Sequence, residues 1–321
     1  MLAVKDLVKT FPVRGGFALS GPVQSVKALD GISFEVARGE ALGLVGESGC
    51  GKSTTARTIL RLTEPDGGAA LFDGTDLFKA DGAELRRLRR RLQIVFQDPY
   101  ASLNPRRRIG DTLTEPMKVH GISAPKDWPE RVRGLLAEVG LPAEAAHKYP
   151  HEFSGGQRQR IGIARALTVG PELLFLDEPV SALDVSVQAQ VLVLLNRLRE
   201  TRNLASVFIS HDLGVVRYFC QRVAVMYLGR IVEEGPADAL LDAPLHPYSQ
   251  ALRAATPTPD PTQKVTMARL EGDPASPLNP PAGCHFHPRC PHAMDRCKAE
   301  IPVLREVAPG RKVACHLMEQ R

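Results

Sequence analysis

The sequence predicts an α/β fold with a mainly parallel sheet core, an N-terminal antiparallel β subdomain, a helical subdomain and an irregular cysteine-containing C-terminal extension. Three observations point there. Short continuous apolar runs, Ala41–Val45 and residues 173–176 and 205–209, are of the kind strands take when helices cover both faces of a sheet. The first run leads directly into the glycine-rich segment Gly46-Glu47-Ser48-Gly49-Cys50-Gly51-Lys52-Ser53-Thr54, and a helical pattern follows over residues 54–62. Residues 98–165 carry helical periodicity and proline-punctuated loops without a long strand, as expected of a helical insertion.

Taken in order, residues 2–38 alternate apolar and polar positions around Gly15-Gly16 and Gly21-Pro22, which predicts a small antiparallel sheet. Residues 41–97 read as strand, loop, helix, short strands and a charged helix, then the strand Leu92-Gln93-Ile94-Val95-Phe96. After the helical block the parallel pattern resumes with the strand at 173–176, a long helix over Val185–Arg202, a strand at 205–209 and another at 222–228. Past about residue 244 proline becomes frequent, periodicity weakens, and four cysteines gather between 284 and 315. The expected division is a body of residues 1–243 and an extension of residues 244–321.

Composition narrows the classes. With 43% hydrophobic and 24% charged residues the chain is an ordinary globular protein, and a net charge of +5 selects no partner. The densest basic run, Arg86-Arg87-Leu88-Arg89-Arg90-Arg91, reads as a solvated helix face, because no aromatic residue interleaves with it to stack bases. Nucleic acid is therefore not an expected partner. No apolar stretch reaches the roughly 18 residues of a spanning helix, and Met1-Leu2-Ala3-Val4-Lys5-Asp6 is not a signal peptide. The chain is expected to be cytoplasmic and to meet a membrane only through a partner. The six cysteines are then reduced thiols or metal ligands.

Two motifs carry chemistry. Gly46 to Thr54 fits G-x-x-x-x-G-K-[ST], in which Gly46, Ser48, Gly49, Cys50 and Gly51 present backbone N–H groups to phosphates and Lys52 reaches the outermost ones. The strand before it and the helix after it place those phosphates at a helix N-terminus, beside Ser53 and Thr54. The apolar run at 173–176 ends in Asp177-Glu178, so both carboxylates project at the C-terminal tip of a strand, where open α/β sheets bind ligands. Asp177 is suited to hold Mg²⁺ together with Ser53, and Glu178 to polarise a water.

Four further segments fall in register with these: Gln97 in Val95-Phe96-Gln97-Asp98, Phe153-Ser154-Gly155-Gly156-Gln157, the turn Ser181-Ala182-Leu183-Asp184, and His211 in Ser210-His211-Asp212. The set resembles the ATP-binding subunits of ABC transporters over residues 1 to about 240, with phenylalanine opening the signature where leucine is usual. The resemblance implies an ATP-hydrolysing phosphate-loop cassette with Lys52 on the outer phosphates, Ser53, Asp177 and Gln97 around Mg²⁺, and Glu178 as general base. It also implies His211 at the γ-phosphate, Asp184 near the nucleotide, and Phe11 stacked on adenine, although an N-terminal aromatic is equally at home in a core. Ser154, Gly155, Gly156 and Gln157 are implied to close on the nucleotide of a second ATP-binding subunit, with the residues after Gln97 docking membrane permease subunits.

The tail refines the resemblance. His246-Pro247-Tyr248-Ser249-Gln250-Ala251-Leu252, the proline-rich linker and the cysteine module look like the oligopeptide/dipeptide importer branch, some of whose members carry a [4Fe–4S] cluster. Cys284, Cys290, Cys297 and Cys315 stand as C-x₅-C-x₆-C-x₁₇-C, without the C-x₂-C pairs of common zinc sites. The readings are an iron–sulfur cluster, a zinc ion aided by His285, His287 or His316, or plain thiols. Cys220 is expected to be core, and Cys50 a thiol whose alkylation blocks the phosphate loop.

The implied function is the ATPase subunit of a peptide importer, peripheral on the cytoplasmic face of the inner membrane, with an extracytoplasmic peptide-binding protein as indirect partner. Nickel, glutathione, antimicrobial peptides and sugars are the other cargoes such subunits serve. A soluble nucleic-acid-linked ATPase of this superfamily is disfavoured, because there is one compact cassette with phosphate loop and signature both inside residues 46–157. The sequence leaves open which peptide is carried and whether two copies pair or two related chains.

Overall fold

Residues 1–14, 23–255 and 275–319 are described by a computed structural model of the chain. The glycines at 15, 16 and 21 and most of the proline-rich linker lie outside them. The chain forms two units, one of Met1–Glu35, Ala41–Phe78 and Ser210–Arg321, the other of Val36–Glu40 and Lys79–Ile209.

The first unit begins with β1 (Leu2–Arg14), β2 (Val23–Val36), β3 (Ala41–Val45), α1 (Lys52–Ile59), β4 (Gly67–Phe72) and β5 (Thr75–Asp76). Its antiparallel sheet runs β2-β1-β4-β5, so the sheet expected of residues 2–38 also recruits the short strands at 67–76. Leu2 pairs with Phe72 and Lys5 with Ala69, and a bulge follows at Asp6. Gly68 has φ +90°, and a Cβ there would lie 2.5 Å from the Asp6 carbonyl oxygen, so only glycine fits opposite the bulge. Leu2 and Val4 on β1 and Ile32, Phe34 and Val36 on β2 are buried at the period of two, while Leu29 is buried out of that phase, across Gly31 at φ +79°. All five residues of β3 are buried. Helix α1 starts two residues before the expected 54–62 and ends three before its end, because Leu60 is its last αR residue and Arg61 turns left-handed at φ +51°.

The second unit contains α2 (Gly82–Arg91), β6 (Leu92–Val95), α3 (Ile109–His120), α4 (Trp128–Glu138), α5 (Gly155–Leu167), β7 (Leu173–Asp177), α6 (Val185–Arg202) and β8 (Ala205–Ser210). Strands β6, β7 and β8 are parallel neighbours, with Leu92 opposite Leu173 and Leu173 opposite Ala205. Among the described residues no strand falls between β6 and β7, and Leu113, Met117, Val132, Leu136 and Ile161 are buried on α3, α4 and α5. The basic run lies on α2, where only Leu85 and Leu88 are buried. Its arginines are more than a solvated face. Arg86 donates to the Val119 carbonyl (2.8 Å), and Arg91 forks onto Glu172 (2.5 and 2.9 Å).

The first unit resumes with α7 (Leu213–Phe219), β9 (Arg222–Tyr227), β10 (Arg230–Pro236), α8 (Ala237–Asp242), α9 (Pro247–Ala254), α10 (Asp295–Ala299), β11 (Arg305–Ala308) and β12 (Arg311–Val313). Strand β3 runs parallel to β9, and β10, β12 and β11 follow as antiparallel neighbours. The extension is therefore not wholly irregular, because β12 and β11 lengthen this ladder. Its seat is Glu233 on β10, fully buried, which accepts from the Leu245 and His246 N–H groups (2.9 Å each) and the Arg311 guanidinium (3.0 Å). A buried carboxylate is tolerable only when so matched. No helix among the described residues is long and apolar enough to cross a membrane.

Candidate functional site

Where β3 ends, the loop backbone leaves the range open to side chains. Gly46 has φ +151°, and a Cβ there would lie 2.2 Å from the Met226 carbonyl oxygen. Gly51, the residue before α1, has φ +107°, and its Cβ would lie 2.3 Å from the Ala28 carbonyl oxygen. These two glycines let the loop turn tightly against β9 and β2 and end on a helix N-terminus that no side chain caps. Its N–H groups are therefore available to an anion, as the phosphate reading requires. Lys52 is buried to 5% exposure, and its Nζ donates to the Gly46 and Glu47 carbonyls (2.8 and 2.9 Å). Ser48 and Gly49 are exposed at the loop tip, and Ser53 and Thr54 are half-buried on the first turn of α1.

Glu47 has partners the sequence did not suggest. Its N–H donates to Tyr248 Oη (2.9 Å), and its carboxylate takes both arms of Arg289 (3.0 and 3.1 Å). Nothing local signals these contacts, which join positions 201 and 242 residues apart. Cys50 is buried, and burial raises its thiol pKa although Lys52 nearby opposes the rise. A protonated, shielded thiol is a poor nucleophile. Phe11 is 38% exposed on β1 with the Lys9 ammonium 5.4 Å from its ring centroid, so it is not the core residue it could equally have been. His211 is exposed ahead of α7, and its neighbours build the turn: Ser210 Oγ accepts from the Asp212 N–H (3.0 Å), while Asp212 caps α7 through Gly214 (2.8 Å).

In the second unit β7 ends in Asp177, 1% exposed, followed by Glu178 in the left-handed region at φ +46°. The Glu178 N–H donates to the Ile209 carbonyl (3.0 Å), which ties this turn to β8. Gln97, just beyond β6, donates from Nε2 to Glu178 Oε2 (2.9 Å). The parallel register of β6 and β7 thus brings together two residues singled out separately in the sequence. A positive φ at a non-glycine residue is strained backbone of the sort concentrated at functional sites.

The signature residues have structural duties of their own. Ser154 Oγ accepts from the Gln157 N–H (3.4 Å) and Gln157 Oε1 from the Ser154 N–H (3.0 Å), a reciprocal cap on α5. A Cβ on Gly155 would make ordinary van der Waals contact with Leu183 Cδ2 (3.5 Å), whereas a Cβ on Gly156 would lie 2.2 Å from Val187 Cγ1 on α6. Asp184 caps α6, accepting from the Val187 N–H (3.1 Å) and Ser186 Oγ (2.8 Å), bonds that hold its carboxyl below the usual range.

Cys284, Cys290, Cys297 and Cys315 line one cavity of about 10 Å³. Burial pushes the Cys284 thiol up to about 11 and raises Cys290 and Cys315 as well. His287 Nδ1 lies 3.0 Å from the Cys284 carbonyl and His316 Nε2 lies 3.1 Å from the Glu300 carbonyl, while His285 is not part of this lining. Among the described residues no group of three or more His, Cys, Asp or Glu is arranged to hold a metal ion, so the geometry does not support the expected iron–sulfur or zinc module. As a donor set, four thiols around one cavity still suit a soft metal.

A phosphate-type loop, a paired Gln–Glu beside a buried aspartate and a serine-capped signature helix together define an ATP-binding cassette. Residues 29–181 match the ABC transporter family and residues 232–297 the C-terminal region of oligopeptide/dipeptide transporters. The chain is 52% identical to the oligopeptide transport ATP-binding protein AppF of Bacillus subtilis, over 99% of this chain and 97% of that one. It is 49% identical to the di/tripeptide transport ATP-binding protein DppF of Pseudomonas aeruginosa, over 100% and 98%. Among solved structures it resembles the dimeric, post-hydrolysis ATP-binding cassette MJ0796 bound to ADP and Pi, with TM-score 0.65 and 28% identity over 74% of this chain and 99% of that one. The chain belongs to the ATP-binding subunits of ABC transporters.

Proposed function

We propose that this chain binds and hydrolyses ATP to drive import of oligopeptides or dipeptides through separate membrane permease subunits. The observation that carries the catalytic half is the 2.9 Å contact of Gln97 with Glu178, one residue beyond the buried Asp177. The carboxylate of Glu178 accepts the proton of the attacking water, and Gln97 orients it by donating to the far oxygen. Ser53, Asp177 and Gln97 are the residues that would hold Mg²⁺, which supplies charge neutralisation at the phosphates. Lys52 leaves the Gly46 and Glu47 carbonyls for the outer phosphates, His211 donates to the γ-phosphate, and exposed Phe11 offers a face to adenine.

The peptide half rests on the relatives named for oligopeptide and di/tripeptide transport and on the matching C-terminal region. They do not favour nickel, glutathione or another cargo. In the working complex, residues 154–157 of one subunit face the nucleotide of a second, identical or homologous, as the dimeric ADP-bound neighbour suggests. We further propose a cassette of residues 1–243 and an extension of residues 244–321, on the cytoplasmic face of the inner membrane, served by an extracytoplasmic peptide-binding protein. The four cysteines of the extension are the residues that would hold a [4Fe–4S] cluster, with one zinc ion as the other soft-metal reading.

Peptide-stimulated ATP hydrolysis by the chain assembled with its permease tests the proposal, and hydrolysis indifferent to every peptide would overturn the cargo. Iron, zinc and sulfide analysis of anaerobically purified chain tests the cysteines. About four irons with matching sulfide supports the cluster, and metal-free chain removes it.

A further inference from the structure

Glu47 is the second residue of the phosphate loop, and every polar group it owns is engaged. Its carbonyl accepts from Lys52 Nζ (2.9 Å) and from the Cys50 N–H (3.3 Å), its N–H donates to Tyr248 Oη (2.9 Å), and its carboxylate is forked by Arg289 (3.0 and 3.1 Å). Two of those four partners, Lys52 and Cys50, come from the loop itself, and the other two, Tyr248 and Arg289, from the extension. Both are rigid. Tyr248 is fully buried, with its ring 4.6 Å from Tyr227 and 5.5 Å from Phe286. Tyr227 and Phe286 meet edge to face at 5.3 Å, closing the cluster on the last residue of β9. Arg289 sits three residues past Phe286, its side chain 6% exposed against 27% for Glu47, so the bidentate pair is part-buried, with its guanidinium end the more shielded.

Lys52 must let go when phosphate arrives, whereas Tyr248 and Arg289 need not. Those two keep holding Glu47, and with it the first turn of the loop, whose N–H groups must already point inward if binding is not to spend free energy ordering them. We infer that Tyr248 and Arg289 are positioning residues of the nucleotide site, through which the C-terminal extension sets ATP affinity. This rests on the ATPase reading above. Gln97 and Glu178 lie on other segments, so the effect falls on binding and spares the chemical step.

The test is titration of the full-length chain with a fluorescent ATP analogue, together with steady-state ATP hydrolysis. Arg289→Gln is expected to raise Kd and KM about tenfold with kcat held within about twofold, and Tyr248→Phe, which keeps the ring, to raise Kd about threefold. Arg289→Lys recovers part of the loss, and adding Glu47→Gln to Arg289→Gln costs nothing more, because the pair is already broken. Wild-type Kd in both folded variants overturns the inference, as does a fall in kcat with KM unchanged. Should Arg289→Gln fail to fold, Tyr248→Phe decides by the same criterion. A wild-type chain that does not bind the analogue defeats the ATPase reading and this inference with it. Binding abolished by Lys52→Ala but untouched by Arg289→Gln and Tyr248→Phe defeats this inference alone.

Discussion

Lys52 and Glu178 are held ready in different ways. Lys52 rests on two carbonyls of its own loop, a place it can give up because phosphate oxygens offer a stronger charge-assisted bond in the same reach. Lys52→Ala is expected to weaken ATP binding by two orders of magnitude or more, roughly the loss of a buried charge-assisted contact, as read by equilibrium titration. Glu178 is oriented by Gln97 and by its own strained backbone. Glu178→Gln retains the shape and loses the proposed base, so turnover should fall at least about a hundredfold while ATP binding persists. Hydrolysis at the wild-type rate in that variant would remove Glu178 from the chemistry. Both residues were legible from motif spacing alone. The carbonyls that hold Lys52 and the bond between Gln97 and Glu178 were not, because a motif specifies residue type and leaves hydrogen-bond partners to the fold.

Helix and strand boundaries show a similar division. Helix α6 and strand β3 lie where apolar pattern placed them, whereas α1 is cut short by a left-handed residue that no periodicity reports. Strands β11 and β12, of four and three residues, are too short to show alternation, and they exist because β10 offers them an edge. At this scale Gly156→Ala is expected to destabilise the chain by about 1–3 kcal/mol, since a stiff β-branched side chain on α6 blocks the new methyl. Urea denaturation checks this, and Val187→Ala in the same chain should return much of the loss. Glu233→Ala strands two N–H groups and leaves the Arg311 guanidinium its Ala243 carbonyl but no counter-charge from Glu233, and should cost about 3–5 kcal/mol. A midpoint within error of wild type would mean the extension is not seated there.

Across the whole molecule, stability should depend on pH through His246. This ring is buried at 1% exposure, accepts from the Tyr248 N–H (3.0 Å), and is held neutral by desolvation, its pKa pushed down to about 3. The unfolded chain takes up a proton near the ordinary value of about 6.5, and the folded chain does not. Stability is therefore full above that pH, falls as pH drops through 6.5, and stops falling below about 3, with a slope of at most about 1.4 kcal/mol per pH unit. His246→Asn keeps an acceptor for the Tyr248 N–H and should flatten this slope in denaturation series between pH 4 and 7. An unchanged slope would assign the acid sensitivity elsewhere.

The sequence by itself determined the class of machine. The phosphate loop, the signature, the paired acids and the buried strand runs are local statements, written in residue type and spacing over a few positions, and chemistry demands them in that form. Only the tertiary structure decided what supports them. It set Tyr248 and Arg289 on Glu47, laid the extension's short strands against β10, and gathered four cysteines around one small cavity without arranging them as a preformed metal site. Those contacts join residues far apart in the chain, where the free energy of a bond depends on geometry and burial that no local pattern encodes.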